Sequence, residues 1–256
     1  MTAGPTFEFS AFLVELDAMS HLVQDGGFLD GPSCARLADF RERVERLMHV
    51  KTSGTTARWE ISRDRPLRTR HCPGAYRPQA THGLASVVGE LSVRWDVRLT
   101  GQRKKRSFAM FQVDNERGNA STRVSIKRAT ENGDVEEELA VWRSDIRSPG
   151  GVGCFYHTQV LGETNVTPFP DFLGVPRFPD PFVTPMAVLE FLLSELFPEA
   201  WDEHLSSSAH STDTWRQSQK QRWMDLLDAQ RQIVGHPRAS PWLALRSWSP
   251  SEPRSC

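Results

Sequence analysis

Apolar residues recur at helical spacing near the start of the chain. Phe9, Phe12, Leu13, Leu16, Met19 and Val23 line one side of a helix over residues 7–23. Asp25-Gly26-Gly27 ends it, because glycine accepts the left-handed turn that closes a helix. Asp30-Gly31-Pro32 then offers a cap and a first-turn proline for a second helix. Its stripe is Leu37, Phe40, Val44, Leu47 and Met48, and the two helices are expected to form an antiparallel pair within residues 7–49.

The period changes from about 3.6 to two further along. A short strand is expected at 57–61. Over 90–100, Leu91, Val93, Trp95, Val97 and Leu99 alternate with Ser92, Arg94, Asp96, Arg98 and Thr100. Strict alternation describes a strand with one face on a core and one face polar, as antiparallel sheets allow. Residues 107–113 read as the next strand, apolar on both faces. Asn132-Gly133 is a favoured two-residue hairpin turn. A turn there pairs Ile126 with Leu139 and Val124 with Val141, and sets Lys127 opposite Glu138 and Arg128 opposite Glu137. Apolar residues and opposite charges then meet across the ladder. A last strand spans 153–161.

Residues 162–183 alternate Pro168, Pro170, Pro176, Pro179 and Pro181 with Phe169, Phe172, Phe178 and Phe182, an extended arm that lays aromatics onto a surface. Thr184-Pro185 opens a helix that is apolar nearly all round, so it is expected to be buried. Serines near 206–208 read as a linker.

These elements predict an α+β protein: an antiparallel meander of five or six strands, with two N-terminal helices and C-terminal helices packed on one face. The expected organisation is one domain over 1–205, with the sheet at 57–161, the proline and phenylalanine arm at 162–183 and a buried helix at 184–205. A linker at 206–212, an appended helix at 213–235 and a flexible tail at 236–256 follow.

Composition changes this picture little. Of 256 residues, 38% are hydrophobic and 25% charged, and the net charge of −1 excludes a grossly polycationic binder. No run approaches a membrane span, and the N-terminus lacks the basic start and cleavage site of a signal peptide. Cys34, Cys72, Cys154 and Cys256 form no CxxC pair, so reduced cytoplasmic thiols are expected. His71, Cys72, Cys154 and His157 lack the paired spacing of a zinc site, and no metal or other cofactor is expected.

The charge is unevenly spread. Residues 58–106 hold twelve Lys and Arg against four Asp and Glu, whereas residues 130–145 hold six acids and one base. The basic loop carries Arg63, Arg65, Arg68, Arg70, Tyr76 and Arg77, and a turn adds Arg103, Lys104, Lys105 and Arg106. Charge interleaved with an aromatic is the composition that grips single-stranded nucleic acid. The acidic run Glu136-Glu137-Glu138 is expected to balance neighbouring bases.

No phosphate-cradling glycine loop, GxSxG elbow or HExxH helix is present. His157, on a strand beside Gln159, is the one candidate for proton transfer near neutral pH. Trp215, Trp223, Trp242 and Trp248, half of the eight tryptophans, lie beyond the serine linker. Aromatics concentrate at interface hot spots, so these four are candidate partner contacts.

His157-x-Gln159, Val175-Pro176-Arg177-Phe178-Pro179 and Thr184-Pro185-Met186 together resemble the C-terminal part of uncharacterised bacterial proteins, over residues 157–197. That resemblance implies a bacterial origin and no activity. The expected role is a non-enzymatic binding or interaction module of a cytoplasmic system, without a membrane. Its partner would be another protein or a second copy, reached through the C-terminal helix and tail. The alternative is a metal-independent ribonuclease using His157 and the loop arginines.

Overall fold

The computed structural model describes residues 5–72, 86–100, 109–114, 120–130, 135–146, 156–160, 178–207, 209–235 and 240. In chain order the elements are β1 (Thr6–Glu8), α1 (Phe9–Asp25), α2 (Gly31–Met48), β2 (Thr56–Ile61), β3 (Leu67–Arg68), β4 (Ser86–Thr100), β5 (Met110–Val113), β6 (Ala120–Ala129), β7 (Val135–Ile146), β8 (Tyr156–Val160) and β9 (Phe178–Pro179). They close with α3 (Pro185–Leu196), α4 (Pro198–Leu205) and α5 (His210–Val234). The protein is α+β, as its periodicity predicts. The described strands form one sheet of nine, and every pairing is antiparallel. Three strands exceed the expected six because β1, β3 and β9 span only two or three residues, too few to show a period.

β4 organises the sheet. Leu91 pairs with both Leu67 and Val124, and Val97 with both Ala57 and Val113. One edge of β4 therefore takes β3 and β2 in succession, and the other takes β6 and then β5. The inward face carries Leu91, Val93, Trp95, Val97 and Leu99, all buried. Phe12 of α1 stacks on Trp59 and Trp95, at 5.8 and 6.2 Å between ring centroids, and Phe111 closes on Trp59 at 4.6 Å. This aromatic centre joins β2, β4, β5 and α1 through offset and edge contacts, the geometries that ring quadrupoles favour. α3 seats over β4 at Gly89, where a Cβ would lie 2.7 Å from Leu196 and 2.8 Å from Leu192.

Both expected caps form: Asp30 accepts from Ser33 N at 2.7 Å, and Thr184 Oγ1 from Ala187 N at 3.3 Å. The linker expected at 206–212 is shorter, because α5 begins at His210. α5 packs along α1, and its Trp215 is part of the common core.

The hairpin register needs a correction. Lys127 faces Glu138 and Arg128 faces Glu137 as expected, but Ile126 faces Ala140 and Val124 faces Trp142. A bulge between Ile126 and Lys127 shifts β7 by one residue. Without it, alternation from Glu138 would turn Trp142 to the polar face and Arg143 into the core. With it, Trp142 meets Phe191 of α3 at 5.7 Å, and Arg143 stands on the polar face. Asn132 and Gly133 lie outside the described residues.

Candidate functional site

The sheet face turned away from α1 and α3 is lined by polar and charged residues brought into rows by the strand register. One row crosses four strands as Ser92, Arg123, Arg143 and Gln159. The next runs Glu60, Arg94, Ser121, Asp145 and His157. A third begins Arg68, Glu90 and Ser125.

Arg123 and Arg143 are direct cross-strand neighbours, an arrangement of like charges that destabilises a ladder unless it is offset. Arg123 donates to Glu138 at 2.7 Å. Arg143 donates to Asp145 at 2.6 Å and to Gln159 at 2.5 Å. Among the described residues, Asp145 Oδ1 and Glu138 Oε1 are nevertheless buried without a hydrogen-bond partner. Two further arginines join this group. Arg63, in the loop after β2, has its pKa lowered by partial desolvation first and then by the charges of Arg123, Arg143 and Arg94, with Glu138 acting in the opposite sense. Arg63 and Arg94 are exposed and make no ion pair among the described residues. Four guanidiniums thus share a small area of sheet with two carboxylates that are already engaged.

The loop residues grouped by sequence are divided by the structure. Only Arg63 reaches the arginine group. Arg65 is exposed beside it in the chain. Arg68 donates to the buried carboxylate of Glu90 at 2.7 and 3.1 Å, and Lys127 reaches the same carboxylate at 2.6 Å. Arg70 lies over the rings of Phe28 and Phe197, 5.3 and 5.1 Å from their centroids. Arg68 and Arg70 are therefore engaged in contacts within the fold. Tyr76, Arg77, Arg103, Lys104, Lys105 and Arg106 lie outside the described residues. The acidic run does balance bases: Glu137 takes Arg128 as expected, whereas Glu138 takes Arg123 and Lys127 turns to Glu90.

His157 is only 4% exposed, with Nε2 3.9 Å from Asp145. The ribonuclease expectation needs an imidazole that a substrate can reach, and this ring is enclosed. Among the described residues no group of three or more His, Cys, Asp or Glu is arranged to hold a metal ion. Cys154 falls outside them. Trp215 is fully buried and donates to Glu190 at 2.8 Å, whereas Trp223 is exposed. Trp242 and Trp248 lie outside the described residues. No helix among them is long and apolar enough to cross a membrane.

Sequence reasoning missed Arg94, Arg123 and Arg143 as a group. Each occupies a polar position of an alternating strand, which is the usual place for a solvated charge. What unites them is register, and the bulge in β7 decides it. No family model, curated protein or solved structure matches the chain.

Proposed function

We propose that the protein is a binding module that holds a phosphate-bearing ligand against the polar face of its sheet. The observation that carries this reading is the pair Arg63 and Arg94, without ion pairs among the described residues, beside Arg123 and Arg143. Guanidiniums crowded together repel one another, and an anion entering the group removes that cost. The planar guanidinium fork matches phosphate oxygens two at a time. Ser121 adds a partly exposed hydroxyl on the same rows. The wide spacing of the four cysteines, with no CxxC pair, suits a reducing, cytoplasmic setting for such a module. A nucleic-acid backbone and a small phosphorylated compound both present the required group.

The test is calorimetric titration of the full chain at low salt with inorganic pyrophosphate and, separately, with a short single-stranded oligoribonucleotide. Binding is expected to weaken as salt rises, because each neutralised phosphate releases counterions. Arg63→Ala with Arg94→Ala should lower affinity by roughly tenfold or more. Exposed substitutions of this kind cost only about 0.5 kcal/mol of stability, so the fold should persist. Preference for the oligonucleotide over pyrophosphate identifies the polymer as the source. Failure of the wild type to bind either probe, or equal binding by the double variant, overturns the reading.

A further inference from the structure

Lys127 and Glu138 face each other across β6 and β7, yet each has turned to a partner elsewhere. Glu138 Oε2 accepts from Arg123 at 2.7 Å, and Lys127 Nζ stands 2.6 Å from Glu90. Glu90 holds a second cation, because Arg68 donates to its other oxygen at 2.7 and 3.1 Å. Arg123 lies four residues along β6 from Lys127, about 13 Å at about 3.3 Å per residue. The side chains of Arg123 and Glu138 therefore reach along the ladder to meet. The Glu138 side chain is only 9% exposed, and its Oε1 is buried without a hydrogen-bond partner among the described residues.

We propose that Glu138 competes with the phosphate for Arg123, and that Lys127 receives Glu138 when the guanidinium turns to the phosphate. The proposal rests on the phosphate reading above and adds two residues that set the affinity of that site. A carboxylate this enclosed needs a counter-charge, since breaking a buried ion pair from one side strands the other charge. Lys127 is the cation placed to supply it. Directly opposed residues have Cβ atoms about 5 Å apart, and the flexible four-carbon stem of lysine lets its ammonium turn across that gap. Glu90 gives up Lys127 in the exchange and keeps Arg68. Both carboxylates thus hold a cation before and after. Arg123 passes from one carboxylate to a phosphate, whose oxygens match the guanidinium fork. Arg143 is its cross-strand neighbour, and an anion between the two offsets their repulsion. Without Lys127, the phosphate would have to leave Glu138 stranded, and binding would weaken.

Calorimetric titration of the full chain with pyrophosphate and with the short oligoribonucleotide tests the exchange, and circular dichroism checks folding. Glu138→Gln is expected to tighten binding roughly fivefold, the scale of one ion pair removed from the competition. Glu138→Asp keeps the charge on a side chain one methylene shorter. It should also tighten binding, which a change in net charge cannot explain. Glu137→Gln removes the same charge from the adjacent residue and should leave affinity within about twofold. Lys127→Met should weaken binding roughly threefold or more in the wild-type chain. Beside Glu138→Gln it should have no such effect, because no carboxylate then needs a new partner. Should Lys127→Met lose the folded spectrum, Glu138→Asp alone decides. Either Glu138 variant binding no tighter than a wild type that binds overturns the exchange and leaves the phosphate reading intact. So does a Lys127→Met effect of equal size in both backgrounds, or a gain for Glu137→Gln that matches Glu138→Gln. A wild type that binds neither probe overturns the phosphate reading and the exchange together.

Discussion

Arg222 of α5 reaches Glu15 of α1, 207 residues away in sequence, and donates to both of its carboxylate oxygens, at 2.6 and 2.5 Å. Glu15 is completely buried. It also accepts from Thr184, the residue that caps α3, and from Gln219 at 3.4 Å. Arg222 donates to Thr184 at 2.9 Å as well. Burial works against the arginine's charge, but Glu15 outweighs it and the pKa is raised. Three helices are joined at this one buried carboxylate. Glu15→Gln should therefore destabilise the protein by about 3–5 kcal/mol, since it leaves a guanidinium without its counter-charge. Glu15→Met with Arg222→Met should recover much of the loss. Urea unfolding of the single and double variants decides this, and a single variant within about 1 kcal/mol of wild type would contradict it.

Asp180 and Glu190 give the stability a pH dependence. Burial raises both pKa values; hydrogen bonds from Ser144 and Phe182 oppose the shift at Asp180, and one from Trp215 opposes it at Glu190. A raised carboxyl pKa means that the folded chain holds its proton more tightly than the unfolded one. The contribution is full below the unfolded pKa of about 4 and is lost as pH rises through the folded value. Asp180→Asn with Glu190→Gln should flatten this fall. Urea midpoints at stepped pH from about 4 to 7 test it, and parallel curves for the two proteins would refute it.

Gly89 marks the closest approach of α3 to the sheet. A Cβ there would meet Leu196 and Leu192 at 2.7 and 2.8 Å, and the backbone N–H already donates to Thr69 at 2.9 Å. Gly89→Val should cost about 1–3 kcal/mol through overpacking. Thermal melting that shows no loss would mean that α3 can shift freely over β4.

Arg70 contributes through packing, between Phe28 and Phe197. Arg70→Ala should lower stability by about 0.5–1 kcal/mol and leave phosphate affinity unchanged. Arg94→Ala should show the reverse pattern. Parallel measurements of unfolding and pyrophosphate titration on the two variants separate the roles. A loss of affinity for Arg70→Ala matching that of Arg94→Ala would extend the binding face to the loop.

Much of the architecture was legible from local pattern. Alternation in β4, helical stripes in α1 and α2, and the cap residues Asp30 and Thr184 each report a choice made within a few residues of chain. The candidate site was legible only in part. Arg63 stood out through loop composition, but Arg68 and Arg70 in the same loop turn to Glu90 and to two phenylalanine rings. Glu15 reads as an ordinary polar position on a helix, and nothing near it in the chain foretells a guanidinium from α5.

The sequence by itself determined the longer helices and strands, that the ladders are antiparallel, and that one sheet face is polar. Those properties follow from backbone preference and from the period of apolar residues, both of which act over a few positions. Tertiary structure alone decided that Arg123 lies beside Arg143, that Glu15 meets Arg222, and that Trp215 is core while Trp223 is surface. The physical reason is that charge and burial act between residues that are close in space. A one-residue bulge in β7, or the rotation of α5 about its axis on α1, changes those neighbours while leaving every local preference satisfied.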